Sequence, residues 1–215
     1  MKFNKKKMEN LNYVINENVK VATEMQQYVK AGIHENIVLV EAKHEVLDNG
    51  GEFLSLQFRD EKGNKLSFTD WPITPFEPLS EMSEESKKAF ETKFQNRMSV
   101  LRQFIIALTG KKDVSINASS FKELAQSLVK LFSGDTNLVR VKATYDKKGW
   151  VTIPKTHWAT VIESMDIPTE ESTIEILASD LMERPTNLQK DVEKKEENPI
   201  DDGEYASTDT EDAPF

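Results

Sequence analysis

The architecture of this chain follows from FLSLQFRDEKGNKLSFT, which runs from Phe53 to Thr69. Apolar and polar residues alternate on both sides of a polar turn at 60–64, as in two strands that each bury one face. The residues that we expect to point into a shared core are Leu54, Leu56, Phe58, Leu66 and Phe68. The stretch therefore predicts a β-hairpin, and Pro72 ends its second strand because proline cannot donate a hydrogen bond to the ladder.

A further strand is predicted immediately before this hairpin. Apolar and charged residues interleave over 37–46, and Asp48-Asn49-Gly50-Gly51 then turns the chain, because Asn-Gly tolerates the positive φ angles of tight hairpins. The residues expected on its apolar face are Val38, Val40, Ala42 and Val46. The residues expected on its charged face are Glu41, Lys43 and Glu45.

Two helices are predicted after these strands. The first spans 84–108, between Ser83, which can cap it, and Gly110, and the second opens with a capping box at 120–123 and ends at Gly134. The residues of the first helix that recur at helical spacing, and that we expect in the core, are Phe90, Phe94, Met98, Leu101, Phe104, Ile105 and Leu108.

Strand patterns return over 139–145 and 150–154, and 158–177 is predicted to add a strand or a short helix. The predicted elements are three strands, then a helical insert at 80–134, then a hairpin. This is the order of a five-stranded Greek-key barrel, the OB-fold. A generic α+β domain with the same order of elements is the alternative. We therefore predict a mainly β fold with a helical insert (α+β) over 32–182.

A disordered acidic tail is predicted at 183–215, and an N-terminal arm at 1–31. The tail contains eleven acidic and four basic residues, so it carries −7 of the net charge of −9. The tail has too few apolar residues for the burial of their surface to offset the entropy lost when the segment becomes ordered. Its terminal Pro214-Phe215 predicts a docking peptide for a basic partner, and a merely solubilising tail is the alternative.

No pattern in the chain predicts catalysis, so we expect a protein that is not an enzyme. Three scattered histidines and no cysteine offer no metal-ligand spacing, and no glycine-rich phosphate loop occurs, so neither a metal nor a cofactor is expected. No apolar run is long enough to span a bilayer. The absence of cysteine fits a reducing compartment, and a cytoplasmic location is predicted.

Aromatic and basic residues share the outward positions of successive predicted strands. The residues before the tail are nearly neutral in net charge. A nucleic-acid site there is therefore compatible with the negative net charge of the whole chain. Bases of single-stranded DNA stack on aromatic rings while Lys and Arg follow the phosphates. Trp71 or Trp150 could instead be a residue at the rim of the sheet that packs on the helical insert. The residues predicted to bind single-stranded DNA are Lys43, Phe53, Arg59, Lys65, Trp71, Arg140, Lys142, Lys147, Lys148 and Trp150.

The chain resembles the phage-type single-stranded DNA-binding proteins, and the SSB family more broadly. The resemblance rests on the lead Gly32–Asn36, the turn 48–51, the turn 147–150 with the following Ile153-Pro154, and the acidic tip 212–215. It implies an OB-fold that coats single-stranded DNA in replication, recombination and repair, in the host cytoplasm if a bacteriophage encodes it. The residues that it implies for recruiting replication and recombination enzymes are Asp209, Glu211, Asp212, Pro214 and Phe215.

The predicted function is sequence-independent binding and protection of single-stranded DNA, with partners recruited through the tip. We also expect the tail to compete with DNA for a basic groove, so that removing the residues from Glu183 onward tightens binding. A recombination mediator or strand-annealing protein on the same fold is one alternative. A structural or scaffold protein, whose sheet face would be an oligomer interface, is another. The oligomeric state stays open, and a homo-oligomer is compatible with the sequence.

Overall fold

The structure, a computed structural model, describes residues 27–75 and 77–185. Most of the predicted N-terminal arm, all five predicted tip residues and the tail from residue 186 lie outside the described residues. The elements in chain order are β1 (Gly32–Val46), β2 (Glu52–Arg59), β3 (Lys65–Asp70), α1 (Glu84–Thr109), α2 (Phe121–Phe132), β4 (Val139–Tyr145), β5 (Val151–Thr152) and β6 (Ile162–Ser164).

The strands form a mainly antiparallel sheet that curls into a nearly closed barrel. Neighbouring strands follow the order β3-β2-β1-β4-β5, and β6 pairs with β4 outside this path. The two ends of the sheet meet where the Thr152 hydroxyl, in β5, donates a 3.1 Å hydrogen bond to the Ser67 carbonyl in β3. The arrangement, with α1 and α2 inserted between β3 and β4, is compatible with an OB-like barrel.

The predicted hairpin is confirmed by β2 and β3, which pair from Leu54 with Asp70 to Arg59 with Lys65. All five residues predicted for its inner face are buried. The Phe104 ring of α1 covers them, with its centroid 4.3 Å from that of Phe68. This aromatic contact fixes the helical insert against the barrel.

The face prediction for β1 is wrong for its first half, because a β-bulge interrupts its alternation. Leu39 pairs with Phe58 and Ala42 pairs with Leu56, although both partners point inward and lie only two residues apart. The extra residue at the bulge reverses the alternation. Val38 and Val40 are consequently exposed, whereas Ile37 and Leu39 are buried. After the bulge Ala42 packs against the core, and Val46 is exposed at the end of the strand. β1 also begins earlier than 37, because its first half pairs with β4.

Both helix starts are confirmed by their caps. The Ser83 hydroxyl accepts a hydrogen bond from the Ser86 amide, and the Ser120 hydroxyl accepts one from the Glu123 amide. Gly110 ends α1 with a φ of 67°, a conformation that favours glycine. Only the second half of the predicted apolar stripe is buried, and Phe94 is 40% exposed, because the first half of α1 extends beyond the barrel.

The segment predicted as a strand or short helix at 158–177 contains β6 and a 3-10 turn at Thr169–Glu171. Residues 165–181, the covering segment, then return along the outside of β4, where the Tyr145 amide donates to the Leu181 carbonyl at 2.8 Å. β4 is thereby buried on both faces.

The prediction that Arg140 and Lys142 lie on an outward binding face is wrong, because this layer buries both. Arg140 is 2% exposed and its guanidinium donates hydrogen bonds to Glu163, Glu35 and Thr169. Burial alone would lower the pKa of Arg140, but the hydrogen bonds and charges of the two glutamates raise it. These bonds attach β6 and the covering segment to the barrel.

Lys142 makes the second such attachment. Its side chain is fully buried, and its ammonium donates to the Asp180 carboxylate at 2.7 Å and to the Glu175 carbonyl at 3.0 Å. Both lysine and arginine on β4 are therefore structural cations, since a buried charge needs a charged and hydrogen-bonded partner.

We expect Lys142→Met to destabilise the protein by about 3–5 kcal/mol, because it leaves the buried Asp180 carboxylate without its cation. The double variant Lys142→Met, Asp180→Asn should recover part of this loss, since the unpaired charge is gone and the amide can still accept from Leu177. Urea unfolding of the three proteins measures the difference. Lys147→Met, at an exposed position, is the control and should change stability by less than about 0.5 kcal/mol. Equal stabilities for Lys142→Met and Lys147→Met would contradict the buried pair.

Candidate functional site

An open groove lies where β3 and the β4–β5 hairpin meet. Its volume is about 530 Å³, and its larger side chains are Trp71, Tyr145, Trp150 and Lys155. The smaller residues between them carry hydroxyls; they are Ser67, Thr69, Thr144 and Thr152. This surface, called the aromatic groove below, therefore offers flat apolar rings, hydrogen-bonding hydroxyls and a cation to one ligand.

Trp71 is fixed on one side of the aromatic groove by the first hairpin. It directly follows β3, and its ring lies against the Phe53 ring with centroids 4.7 Å apart and planes tilted by 36°. A Cβ added to Gly51, in the β1–β2 turn, would lie 3.9 Å from the Trp71 ring. Packing on these two residues still leaves 45% of Trp71 exposed.

Trp150 is held on the other side by a tight turn between β4 and β5. The Asp146 carboxylate accepts hydrogen bonds from the Lys148 amide at 2.9 Å and the Trp150 amide at 2.8 Å. Gly149 has a φ of 75°, which glycine adopts without strain. The turn leaves 65% of Trp150 exposed and presents Lys147 and Lys148 to solvent.

A charged cluster lies beside Lys155, at one end of the aromatic groove. The Asp70 carboxylate is almost fully buried, and its Oδ1 lies 2.9 Å from Arg97 Nη1 and 4.0 Å from Lys155 Nζ. Burial raises the pKa of Asp70, and the two cations partly oppose this. Burial and the charge of Arg97 lower the pKa of Lys155 to about 8, although Asp70 acts in the opposite direction. Lys155 also lies 5.6 Å from the centroid of the Phe68 ring.

The structure brings together only part of the predicted binding set. Trp71 and Trp150 line the aromatic groove, Phe53 supports the Trp71 ring without lining the groove, and Lys147 and Lys148 lie on the adjoining turn. The residues of the set that lie elsewhere are Lys43, Arg59, Lys65, Arg140 and Lys142.

Three of these residues are accessible but distant from the tryptophans. Arg59 and Lys65 face each other at the opposite end of the β2–β3 hairpin, about 20 Å from Trp71 along β3. Lys43 is exposed on β1, where its ammonium pairs with Glu41 at 2.7 Å. None of the three lines the aromatic groove.

Sequence reasoning missed Tyr145 and Lys155. Tyr145 alternates with the buried Val139, Val141 and Ala143 of β4, but it lies at the end of the strand and lines the groove. Lys155 follows Ile153-Pro154, where the predicted strand ends. The signal that could have identified Lys155 is its position directly after a predicted strand that begins with Trp150.

Neither a metal centre nor a membrane-spanning helix is found in the part of the chain that the structure describes. No three His, Asp or Glu side chains converge there as ligands, and neither α1 nor α2 is apolar enough to cross a bilayer. No protein-family model and no curated protein matches the chain.

We expect Lys155 to lose its proton with a midpoint near pH 8, well below its ordinary value of 10.5, because its amine is partly desolvated and lies beside the charge of Arg97. In Asp70→Asn the midpoint should fall further, since the carboxylate that favours the protonated amine is gone. NMR titration of the Lys155 side-chain resonances measures both midpoints. Asp166→Asn, at an exposed carboxylate outside the groove, is the control. A Lys155 midpoint near 10.5 would contradict the geometry of this cluster.

Proposed function

We propose that this protein binds single-stranded DNA without sequence specificity through the aromatic groove. The observation that carries the proposal is that two largely exposed tryptophans and a lysine line one open groove. Unpaired bases expose both faces and can stack on Trp71 and Trp150, whereas bases in a duplex are already stacked on each other. A groove of this kind therefore favours single strands.

The energetics of stacking support this ligand. Each base that stacks on an aromatic side chain contributes about 1–3 kcal/mol, and every base has such a face, so the binding tolerates any sequence. Without a ligand, the exposed indoles of Trp71 and Trp150 remain in water at a hydrophobic cost. The Thr69 hydroxyl also lines the groove and can donate to phosphate or sugar oxygens.

The charges around the groove match a polyanion. Lys147 and Lys148 lie on the turn next to Trp150, and Lys155 lies in the groove itself. One acid, Asp146, also lines the groove, and its carboxylate is held in the turn by accepting two backbone amides. The three lysines outnumber it. Salt-dependent attraction of phosphates therefore adds to stacking.

The nearly closed barrel supports the same proposal at the level of fold. We infer an OB-fold, in which the barrel is five-stranded, the helical insert follows β3 and β6 is an addition. OB-folds commonly bind oligonucleotides on their outer strand face. The biological role that we propose is protection of single-stranded DNA in replication, recombination and repair, with partner enzymes recruited by the C-terminal tip.

We expect Trp150→Ala to weaken binding of a thymidine oligomer by about 1–3 kcal/mol, or roughly 5- to 150-fold, because one stacking platform is lost. Fluorescence anisotropy of a labelled oligomer at two salt concentrations measures the affinity. Trp158→Ala is the matched control, since Trp158 is 69% exposed but does not line the groove.

Equal affinities of the two tryptophan variants would contradict the proposed site. Binding of double-stranded DNA as tightly as the oligomer would contradict single-strand selectivity. If the native protein ignores every oligomer, the structural or scaffold function becomes the better explanation. If it also accelerates pairing of complementary strands, the protein is an annealing protein on the same fold.

Ending the chain after Pro185 should tighten binding to single-stranded DNA. The removed residues carry a net charge of −7, and Pro185 lies four residues after Leu181, whose carbonyl is bonded to Tyr145 of the groove. We therefore expect the tail to compete with DNA, and the gain on truncation to shrink as salt screens the charges. Anisotropy titrations of both chains over a salt series measure this gain.

Removing only Pro214 and Phe215 is the control for this truncation. That variant keeps every side-chain charge of the tail, so its affinity for DNA should remain that of the full chain while recruitment of partners is lost. An unchanged affinity after removal of residues 186–215 would contradict competition by the tail.

A further inference from the structure

A second groove continues from the aromatic groove along the outer side of α1. Its volume is about 580 Å³, and it lies between the first half of α1 and the chain at Ile73 and Lys155. The polar residues of α1 that line it, apart from the acid Glu85, are Lys88, Thr92, Lys93, Asn96 and Arg97. We call this surface the helix groove.

The helix groove borders the face of α1 that packs on the barrel. Lys93 and Arg97 lie in line with the buried Val100 and Phe104, because positions three and four apart share one side of a helix. Lys88, Thr92 and Asn96 extend the groove from this line around the helix toward solvent. The groove therefore places exposed cations beside the apolar contact between α1 and the barrel.

The helix groove is positively charged. Its lining contains four cations, which are Lys88, Lys93, Arg97 and Lys155, and one acid, Glu85. Arg97 and Lys155 share the buried Asp70 carboxylate, so most of the uncompensated charge comes from Lys88 and Lys93. Among the described residues, neither Lys88 nor Lys93 forms an ion pair. Both ammonium groups are therefore free to attract an anionic ligand.

The two grooves meet at Lys155, which lines both of them. Trp71 borders the aromatic groove, and Ile73, two residues later, borders the helix groove. Lys88 and Arg97 are nine residues apart, which is about 14 Å along a helix axis. A strand that leaves the tryptophans can therefore pass Lys155 and Arg97 and continue along α1 to Lys93 and Lys88.

We propose that the helix groove binds the sugar-phosphate backbone of the same DNA strand whose bases stack in the aromatic groove. This inference rests on the proposed function and extends its site. The lining of the helix groove contains no aromatic ring, so its contribution is electrostatic and independent of base identity. Oligomers long enough to reach it gain phosphate contacts that short oligomers lack.

The test compares Lys88→Ala, Lys93→Ala with the native protein on two thymidine oligomers. One oligomer, of about 5 nucleotides, covers the aromatic groove alone, and the other, of about 15 nucleotides, can reach both grooves. With the longer oligomer, loss of two phosphate contacts should reduce the slope of log K against log salt by about 1.4. With the shorter oligomer, the slope and the affinity should equal those of the native protein.

The matched control is Lys111→Ala, Lys112→Ala, which removes the same charge from exposed positions outside both grooves. It should leave both slopes unchanged. Glu85→Gln changes the charge of the helix groove in the opposite sense. Because it removes the acid of the groove, it should tighten binding of the longer oligomer only. All substitutions lie at exposed positions, and thermal melting checks that each variant is folded.

The outcomes separate this inference from the proposed function. If the short oligomer binds the native protein but Lys88→Ala, Lys93→Ala behaves as the control does on both oligomers, the extension is wrong and the aromatic groove stands. If both oligomers lose the same affinity in that variant, the helix groove acts only through the net charge and the extension is again wrong. If neither oligomer binds the native protein, both proposals fail.

Discussion

The hydrogen bond from the Thr152 hydroxyl to the Ser67 carbonyl is the contact on which the groove depends. β5 has only two residues, which pair with the end of β4, and so short a ladder does not fix a strand by itself. The hydrogen bond, worth about 1 kcal/mol, and the complete burial of Ile153 hold β5 beside β3. Because Trp150 directly precedes β5, the contact between β5 and β3 places Trp150 on the side of the groove opposite Trp71.

Buried charge determines which basic residues remain available to a ligand. Arg140 and Lys142 point away from the core of the barrel, but β6 and the covering segment each supply a carboxylate and close over them. Their charges are neutralised within the protein, and the same ion pairs attach β6 and the covering segment to the barrel. The cations that remain accessible beside the aromatic groove are those of the 146–150 turn, Lys155 and the first half of α1. Other exposed cations, such as Lys43, Arg59 and Lys111, lie away from the tryptophans.

The sequence predicts the local elements of this fold well, because each has a signal in adjacent residues. The β2–β3 hairpin follows from alternation around a polar turn, and the ends of α1 follow from Ser83 and Gly110. The bulge in β1 has no such signal, since it arises because one strand pairs with both β2 and β4. Tertiary pairing therefore overrides the pattern there.

The candidate site was only half predictable for the same reason. Exposed tryptophans beside turns are visible in the sequence, and both line the groove. An outward lysine or arginine on a strand, however, is solvent-exposed only if nothing covers that face. Residues more than twenty positions further along the chain cover Arg140 and Lys142, and alternation within β4 carries no information about them.

The position of β6 has a consequence for the behaviour of the protein in concentrated solution. β5 occupies only the last part of the outer edge of β4, and β6 pairs with Val139, Arg140 and Val141 on the rest. An unpaired edge there would offer free backbone amides and carbonyls as a template for a strand of another molecule. With β6 in place, this route to edge-to-edge aggregation is blocked, and the chain can accumulate without polymerising through β4.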